Sequence, residues 1–377
     1  MTRRSTARGE LPEAALRLNR WMGPRVLTWF HDHCRDLPWR HNRDPYRIWV
    51  SEVMLQQTQV ATVIPFFQRF LERFPTLADL AQADEQEVLR LWEGLGYYRR
   101  ARFLLQAARL LHERNPGVFP ATVAELTGVP GLGEYTRNAI LSQAFDLRLP
   151  ILEANTIRLL SRMFGRVEDP TQTSARRWLW GAAEAILPSR QVGDFNQGLM
   201  ELGALVCTPE QPDCSSCPLR PRCAAFASGR PEDYPARVPA SPPVLVRELA
   251  LIIRRAGTVL FLRRPPDATR WANLWEFPHV ELAADEPLDQ AAHRLARESC
   301  GLTITPGAEL GTIRHGITRY SITLTCLEAC WSAGDVVNPF HAEARWVGPD
   351  ELGQFPVSSP QRRLARLINA ERQLRLF

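Results

Sequence analysis

The sequence predicts a multidomain protein. An all-α region is built on two helices around a Gly-rich hairpin; a Cys-bearing loop, a linker and an α+β C-terminal domain follow. Three observations carry this. The stretch from Leu126 to Arg158 changes from helical spacing to a cluster of Gly and Pro and back again. Four of the eight Cys fall between Cys207 and Cys223. Beyond Pro243, apolar runs of strand type replace the helical ones.

A chain of 377 residues suggests two or three domains, and 45% apolar residues mark it as globular. No apolar run reaches transmembrane length, and no apolar segment follows the basic start Met1–Arg8, so a cytoplasmic location is expected. The formal charge of +5 is mild, so nucleic-acid affinity has to come from local patches. All 46 basic residues are Arg. Without Lys there is no side-chain amine for a Schiff base and no lysine for a phosphate-binding loop.

Residues from about Glu10 to Cys34 read as an arm and a first helix. Leu37-Pro38-Trp39-Arg40 is a turn; its Trp and Arg suit a nucleic-acid surface but also occur in ordinary turns. Pro45 opens a helix in which Trp49, Val53 and Met54 form a buried stripe. Glu52 lies beside that stripe, where a carboxyl group can face a cleft, although most helical Glu are solvated. Gln56, Gln57, Thr58 and Gln59 follow, and side-chain amides can bond base edges or fill a gap in a base stack. Leu91 to Leu111 reads as a helical pair. Its Gly94–Arg102 turn presents Tyr97 and Tyr98 for stacking, with Arg99, Arg100 and Arg102 for phosphates.

At the hairpin, Val123 and Leu126 keep helical spacing until Gly128, Pro130, Gly131 and Gly133 interrupt it. A second helix opens at Glu134 with Ala139, Ile140 and Ala144 on its buried stripe. Backbone N–H groups at such a helix N-terminus suit a DNA phosphate and need no particular base; a plain packing corner is the alternative. A second carboxylate, Glu153, ends an apolar run two residues before Asn155. Helices are expected over 171–187 and 195–206. Cys207, Cys214, Cys217 and Cys223 then bind a metal or a cluster rather than pair as disulfides; spacing alone leaves zinc and iron–sulfur equally open. Gly229 to Pro243, with five Pro, reads as an extended linker. Leu245–Ile253 and Val259–Arg264 form a hairpin around Ala256-Gly257, Leu288–Ser299 a helix, and Ile317–Cys326 a strand.

The run Ser51-Glu52-Val53-Met54-Leu55-Gln56-Gln57-Thr58-Gln59-Val60 resembles the adenine DNA glycosylases of the MutY type, in the helix-hairpin-helix or endonuclease III superfamily. Gly94–Arg102 is similar to the same family, as is a hairpin followed by a carboxylate at Glu153. The resemblance spans about residues 20 to 370 and is looser after Cys223. It implies a glycosylase region over 20–228 with a [4Fe–4S] cluster on Cys207, Cys214, Cys217 and Cys223, a linker over 229–243, and a Nudix-like DNA-recognition domain over 244–377. It further implies a monomeric base-excision repair enzyme of the nucleoid. Such an enzyme acts on double-stranded DNA and hydrolyses adenine from mispairs with 8-oxoguanine or guanine.

By the same resemblance, Glu52 protonates the flipped base, Glu153 stabilises the cationic sugar, and Asn155 orients sugar or water. Arg40 contacts the adenine end, Tyr97 wedges beside the damaged guanine, and Gln57 fills the vacated stack. Gly128, Gly131 and Gly133 shape the phosphate-binding hairpin. Tyr135 stands where bifunctional relatives carry a Schiff-base Lys, which implies an intact abasic-site product. Two departures stand out. Glu153-Ala154-Asn155 replaces the family's Asp-Gly-Asn, and Ile317-Thr318-Arg319 replaces its Phe-Ser-His, keeping only the hydroxyl of Thr318. In the Nudix-like helix, Leu295 and Ser299 stand where metal-binding carboxylates are expected and only Glu298 remains, so no pyrophosphohydrolase activity is expected. The rival readings are a glycosylase of the same fold acting on oxidised pyrimidines or mismatched thymine, and a non-catalytic DNA-binding protein.

Overall fold

Helical periodicity dominates up to Ala227 and strand alternation dominates from Val244, and the folded chain follows both. The computed structural model describes residues 13–236 and 241–374; the basic start Met1–Arg8 and residues 237–240 of the expected linker lie outside the described residues. The helices, in order, are α1 Glu13–His33, α2 Pro45–Leu55, α3 Val60–Arg73, α4 Leu77–Ala81, α5 Glu85–Leu91, α6 Arg99–Arg114 and α7 Val123–Leu126. They continue with α8 Glu134–Phe145, α9 Ala154–Phe164, α10 Thr173–Ala185, α11 Val192–Leu205 and α12 Ala224–Ala227. Packing divides the chain into two units, 1–81 with 106–239, and 82–105 with 240–377. The segment 82–105, which sequence order places in the N-terminal region, therefore packs with the C-terminal unit.

The core of the helical unit joins Val26 and Phe30 of α1 to Leu159 and Leu160 of α9 and to Phe195, Leu199 and Leu202 of α11. Each such side chain contributes about 1.5–3 kcal/mol on burial. Helix α8 departs from the expected single stripe. Thr136, Asn138, Ser142 and Gln143 are buried along with Ala139, Ile140 and Leu141, while Ala144 is only half-buried. Its polar side chains are tolerated because they are bonded: Asn138 Nδ2 donates to the Pro150 carbonyl at 2.9 Å, and Asn196 Nδ2 donates to Ser142 Oγ at 3.0 Å. Helix α11 runs close to α9 because Gly203 has no side chain; a Cβ there would stand 2.6 Å from the Cβ of Asn155.

The described start of the expected extended linker is folded back on the helical unit. Residues 231–233 form a 3₁₀ turn, the Tyr234 carbonyl accepts from Arg162 Nε at 3.1 Å, and Ala236 N–H bonds the Val167 carbonyl at 3.0 Å. Prolines that suit an extended chain equally suit a tight turn packed on a neighbour.

The C-terminal unit contains a mixed sheet of β1 Val244–Arg255, β2 Thr258–Arg263, β3 Trp275–Glu276, β4 His279–Glu281, β5 Thr303–Ile317, β6 Tyr320–Ala333 and β7 Glu343–Val347. The strand order is β3-β2-β1-β6-β5, with β4 paired to β1 and β7 to β2; β1 and β6 pair in parallel and the other named strand pairs are antiparallel. Helices α13 Leu288–Cys300 and α14 Ser359–Leu374 pack on it, in the same unit as α5 and the start of α6. Alternation along β1 sorts its side chains. Leu249, Leu251 and Ile253 pack with Ala291 and Leu295 of α13, whereas Ala250 and Ile252 pack with Leu364 and Ile368 of α14. Leu295 is thus a core residue. The expected strand over Ile317–Cys326 is corrected. Ile317 ends β5 and pairs with Tyr320, and Thr318 and Arg319 form a two-residue hairpin loop. Alternation on both sides of so short a loop hides it from the pattern.

Candidate active site and DNA interface

Asp44 caps α2 by accepting from Tyr46 N–H, and Pro45 occupies the first turn. This helix presents Glu52 inward, with only 6% of its surface exposed. Helix α8 supplies both of its hydrogen-bond partners. Tyr135 donates its hydroxyl to Glu52 Oε2 at 2.8 Å, and Gln143 Nε2 donates to Oε1 at 2.9 Å. Burial pushes the Glu52 carboxyl above its ordinary range. The Tyr135 and Gln143 bonds oppose that shift, the charge of Glu153 adds to it, and Arg40 opposes it. Burial and the same two carboxylates drive the Tyr135 phenol well above its usual value, so it stays a donor.

Glu153 is the N-cap of α9. Its two oxygens accept from the N–H groups of Asn155 and Thr156, each at 2.8 Å, and the Thr156 hydroxyl accepts from Glu153 N–H at 2.8 Å. Burial raises this carboxyl too; the backbone bonds and Arg158 pull the other way. Asn155 Oδ1 accepts from Arg158 Nη2 at 2.9 Å. Arg158 also donates to the carbonyls of Cys207 at 2.7 Å and Gly203 at 2.6 Å, so Asn155, two residues after the cap, is tied through Arg158 to the Cys loop. Arg40 is held rather than free. Its Nη2 lies 3.0 Å from Glu201 Oε1, and its Nε donates to Gln197 Oε1 at 3.0 Å. Arg35 bonds the same buried carboxylate at 2.5 and 2.9 Å.

The hairpin has the expected breaks. Gly128 and Gly131 adopt φ of 79° and 73°, which only glycine takes without strain, whereas Gly133 at φ −71° is simply the N-cap of α8. After α2, Gln56 Nε2 lies 3.3 Å from the Thr136 hydroxyl, Thr58 Oγ1 donates to the Gln56 carbonyl at 3.4 Å, and exposed Gln57 has a left-handed φ of 58°. In the C-terminal unit Tyr97 is 50% exposed at φ 47° and Thr318 is exposed at φ 50°.

Cys207, Cys214, Cys217 and Cys223 line one recess with Arg162, Arg220 and Phe226. Arg162 anchors its rim through the carbonyls of Thr208 at 2.6 Å and Pro209 at 2.9 Å, with Cys207 Sγ 3.4 Å from the same guanidinium. Among the described residues no three His, Cys, Asp or Glu side chains sit close enough to share one metal ion; the four thiols ring the recess instead. Sequence reasoning missed Gln143, Arg158, Gln197 and Glu201. The signal for Gln143 was a glutamine inside a helix with several apolar residues, eight positions after Tyr135 and so close to the same face.

A Gly-containing hairpin leading into α8, a buried carboxyl on α2 and a Cys loop beyond α11 define a helix-hairpin-helix base-excision repair protein. Residues 50–184 match the HhH-GPD superfamily base excision DNA repair protein model, and residues 249–367 match the NUDIX domain. The chain is 33% identical to the adenine DNA glycosylase of Mus musculus, over 92% of this chain and 78% of that one. It is 36% identical to that of Buchnera aphidicola, over 68% and 74%. A solved thermostable thymine-DNA glycosylase aligns with a TM-score of 0.52 and 28% identity, covering 57% of this chain and 99% of that one. The chain belongs to the adenine DNA glycosylase family.

Proposed function

We propose that the protein removes adenine mispaired with 8-oxoguanine or guanine in double-stranded DNA, acting as a monomer and leaving an intact abasic site. The observation that carries this reading is the buried Glu52 carboxyl held between a phenol and an amide, with Glu153 as its electrostatic neighbour. Breaking the bond between adenine and sugar needs an acid at the base and a carboxylate at the developing oxocarbenium ion, as in glycoside hydrolysis. Glu52 donates the proton to the flipped adenine, and the base departs with the bonding pair. Glu153, fixed by two backbone N–H groups, faces the cationic sugar as an anion. Glu52, now ionised, takes a proton from the water that attacks the sugar carbon. Asn155 orients that sugar or water. Tyr135 holds Glu52 in place.

Cys207, Cys214, Cys217 and Cys223 would hold a [4Fe–4S] cluster. Among the described residues no three such side chains stand close enough to share one ion, which favours a multi-iron cluster over a single zinc with bonds of about 2.3 Å. The cluster would supply a structural staple for a loop bearing Arg220 and Arg222. Gln56, Gln57, Thr58, Gly128, Gly131 and Gly133 of the helical unit would contact DNA, as would Tyr97 and Thr318 of the C-terminal unit, and Arg40, at the adenine end, tunes the acid from its place on Glu201. The likeness to a thymine-DNA glycosylase favours one second reading, excision of mismatched thymine. Single-turnover assays on A:8-oxoguanine, A:G and T:G duplexes separate the two. Excision of adenine from the first two is expected, and excision from T:G alone would overturn the proposal.

A further inference from the structure

The turn that carries Tyr97 packs within the C-terminal unit, and its fastenings are more numerous than a simple loop requires. Between α5 and α6, Gly94, Gly96 and Tyr97 have φ of 106°, 72° and 47°. A tyrosine in that region is strained and persists only where its surroundings over-determine it. From inside the turn, the Trp92 indole N–H donates to the Gly96 carbonyl at 3.1 Å. Arg100 donates to the carbonyls of Leu95 and Gly96 at 3.1 and 3.3 Å, and its guanidinium lies 5.6 Å from the Tyr97 ring centre.

From outside, the fastenings come from the sheet and α14. Tyr98 buries its ring and donates its hydroxyl to the Val357 carbonyl at 2.7 Å. Val357 in turn forms a parallel bridge with Trp275 of β3. The Glu93 carboxylate accepts two bonds from Arg362 of α14, at 2.5 and 2.8 Å, and Arg362 also donates to the carbonyls of Leu352 and Phe355. On α5, Gln86 accepts from the Trp275 indole at 3.0 Å and donates to the Asn273 carbonyl at 2.9 Å. Tyr98 thus points into the sheet unit, while its neighbour Tyr97 stands half-exposed.

We propose that Glu93 and Tyr98 are positioning residues that fasten the Tyr97 turn to the C-terminal sheet, so that this turn and the Thr318 hairpin meet DNA as one body. The proposal rests on the reading of Tyr97 as a wedge beside the guanine. Its consequence is that discrimination between 8-oxoguanine and guanine opposite adenine depends on three hydrogen bonds made by Glu93 and Tyr98, side chains other than the wedge itself.

The test uses the full chain with Tyr98→Phe, Glu93→Gln and both together. Hydrogen exchange of the Leu95 and Arg100 amides, measured without DNA, should quicken about tenfold or more in the double variant. Exchange at Leu251 and Leu262 in the strands should not change. The ratio of single-turnover excision from A:8-oxoguanine to that from A:G should fall about fivefold, and no further when Tyr97→Ser is added. Unchanged exchange in the turn would overturn the proposal. So would loss of protection across the sheet, or a loss of discrimination that simply adds to that of Tyr97→Ser. The exchange measurement needs no activity. If no duplex is processed, the glycosylase reading fails while the fastening is still decided by the amides.

Discussion

A carboxyl group buried between a phenol and an amide titrates unlike one in water. Glu52 is raised chiefly by burial, so its protonated form persists above the ordinary carboxylate value of about 4.3. The sign follows directly. In the proposed mechanism the acid is active below its raised folded value, and excision should fall as pH rises through it. Any stability gained from keeping Glu52 neutral is lost over the same interval. Glu153 is also raised by burial but has to be ionised, so excision should fall again as pH drops through its value. With one group needed protonated and the other ionised, a bell-shaped rate profile on an A:8-oxoguanine duplex is expected. Glu52→Gln keeps the shape without the proton; duplex binding should persist while excision is lost, and near-normal excision would remove Glu52 from the chemistry. Glu153→Asp withdraws a cap carboxylate that the backbone has accommodated. Excision should slow by about tenfold to a hundredfold, or about 1.4–2.8 kcal/mol, and a faster variant would mark Glu153 as a tolerated impairment. Glu52 was legible in the sequence because a motif surrounds it. Its partner Gln143 was not, because a glutamine on a buried face looks like a pattern error until the carboxylate it serves is in place.

At the scale of elements, the hairpin and the Cys loop were legible because Gly, Pro and Cys mark positions by their own covalent limits. The capping role of Glu153 was not: glutamate is outside the usual cap set, and only its contact with two N–H groups reveals it. The loop of Thr318 was hidden between two strands of the same alternation. The joint held by Gly203 was equally silent, since a helical glycine is informative only once the neighbouring helix is known. Gly203→Ala would press a methyl group against Asn155, and overpacking of this kind costs about 1–3 kcal/mol. A lower melting temperature is expected, with excision falling more than duplex binding; unchanged excision would show that Asn155 has room to move. Cys217→Ser removes one ligand of the proposed cluster. Iron content and DNA affinity should fall together, because metal binding stabilises the loop that presents Arg220 and Arg222. Metal analysis of anaerobically prepared protein that found zinc and no iron would refute the cluster.

At the scale of the whole molecule, the absence of Lys is the property with the widest chemical consequence. A bifunctional glycosylase attacks the sugar with an amine, forms an imine and then eliminates the phosphate. Among 377 residues no side chain offers such an amine. The hairpin position instead holds Tyr135, whose phenol is bonded to Glu52 at 2.8 Å and cannot form an imine. On the proposed reading water is the nucleophile, and excision should leave the strand intact until alkali or heat is applied. Borohydride added during turnover should trap no covalent protein–DNA adduct; an adduct formed at a level comparable to turnover would overturn the assignment. Tyr135→Lys gives the test its positive arm. The new ammonium would stand where the phenol now meets Glu52, and an adjacent cation lowers a carboxyl pKa, the reverse of what burial does there. This variant should gain borohydride trapping and strand nicking, with the falling limb of its excision profile moved to lower pH. Trapping without that displacement would place the amine near the sugar but away from Glu52.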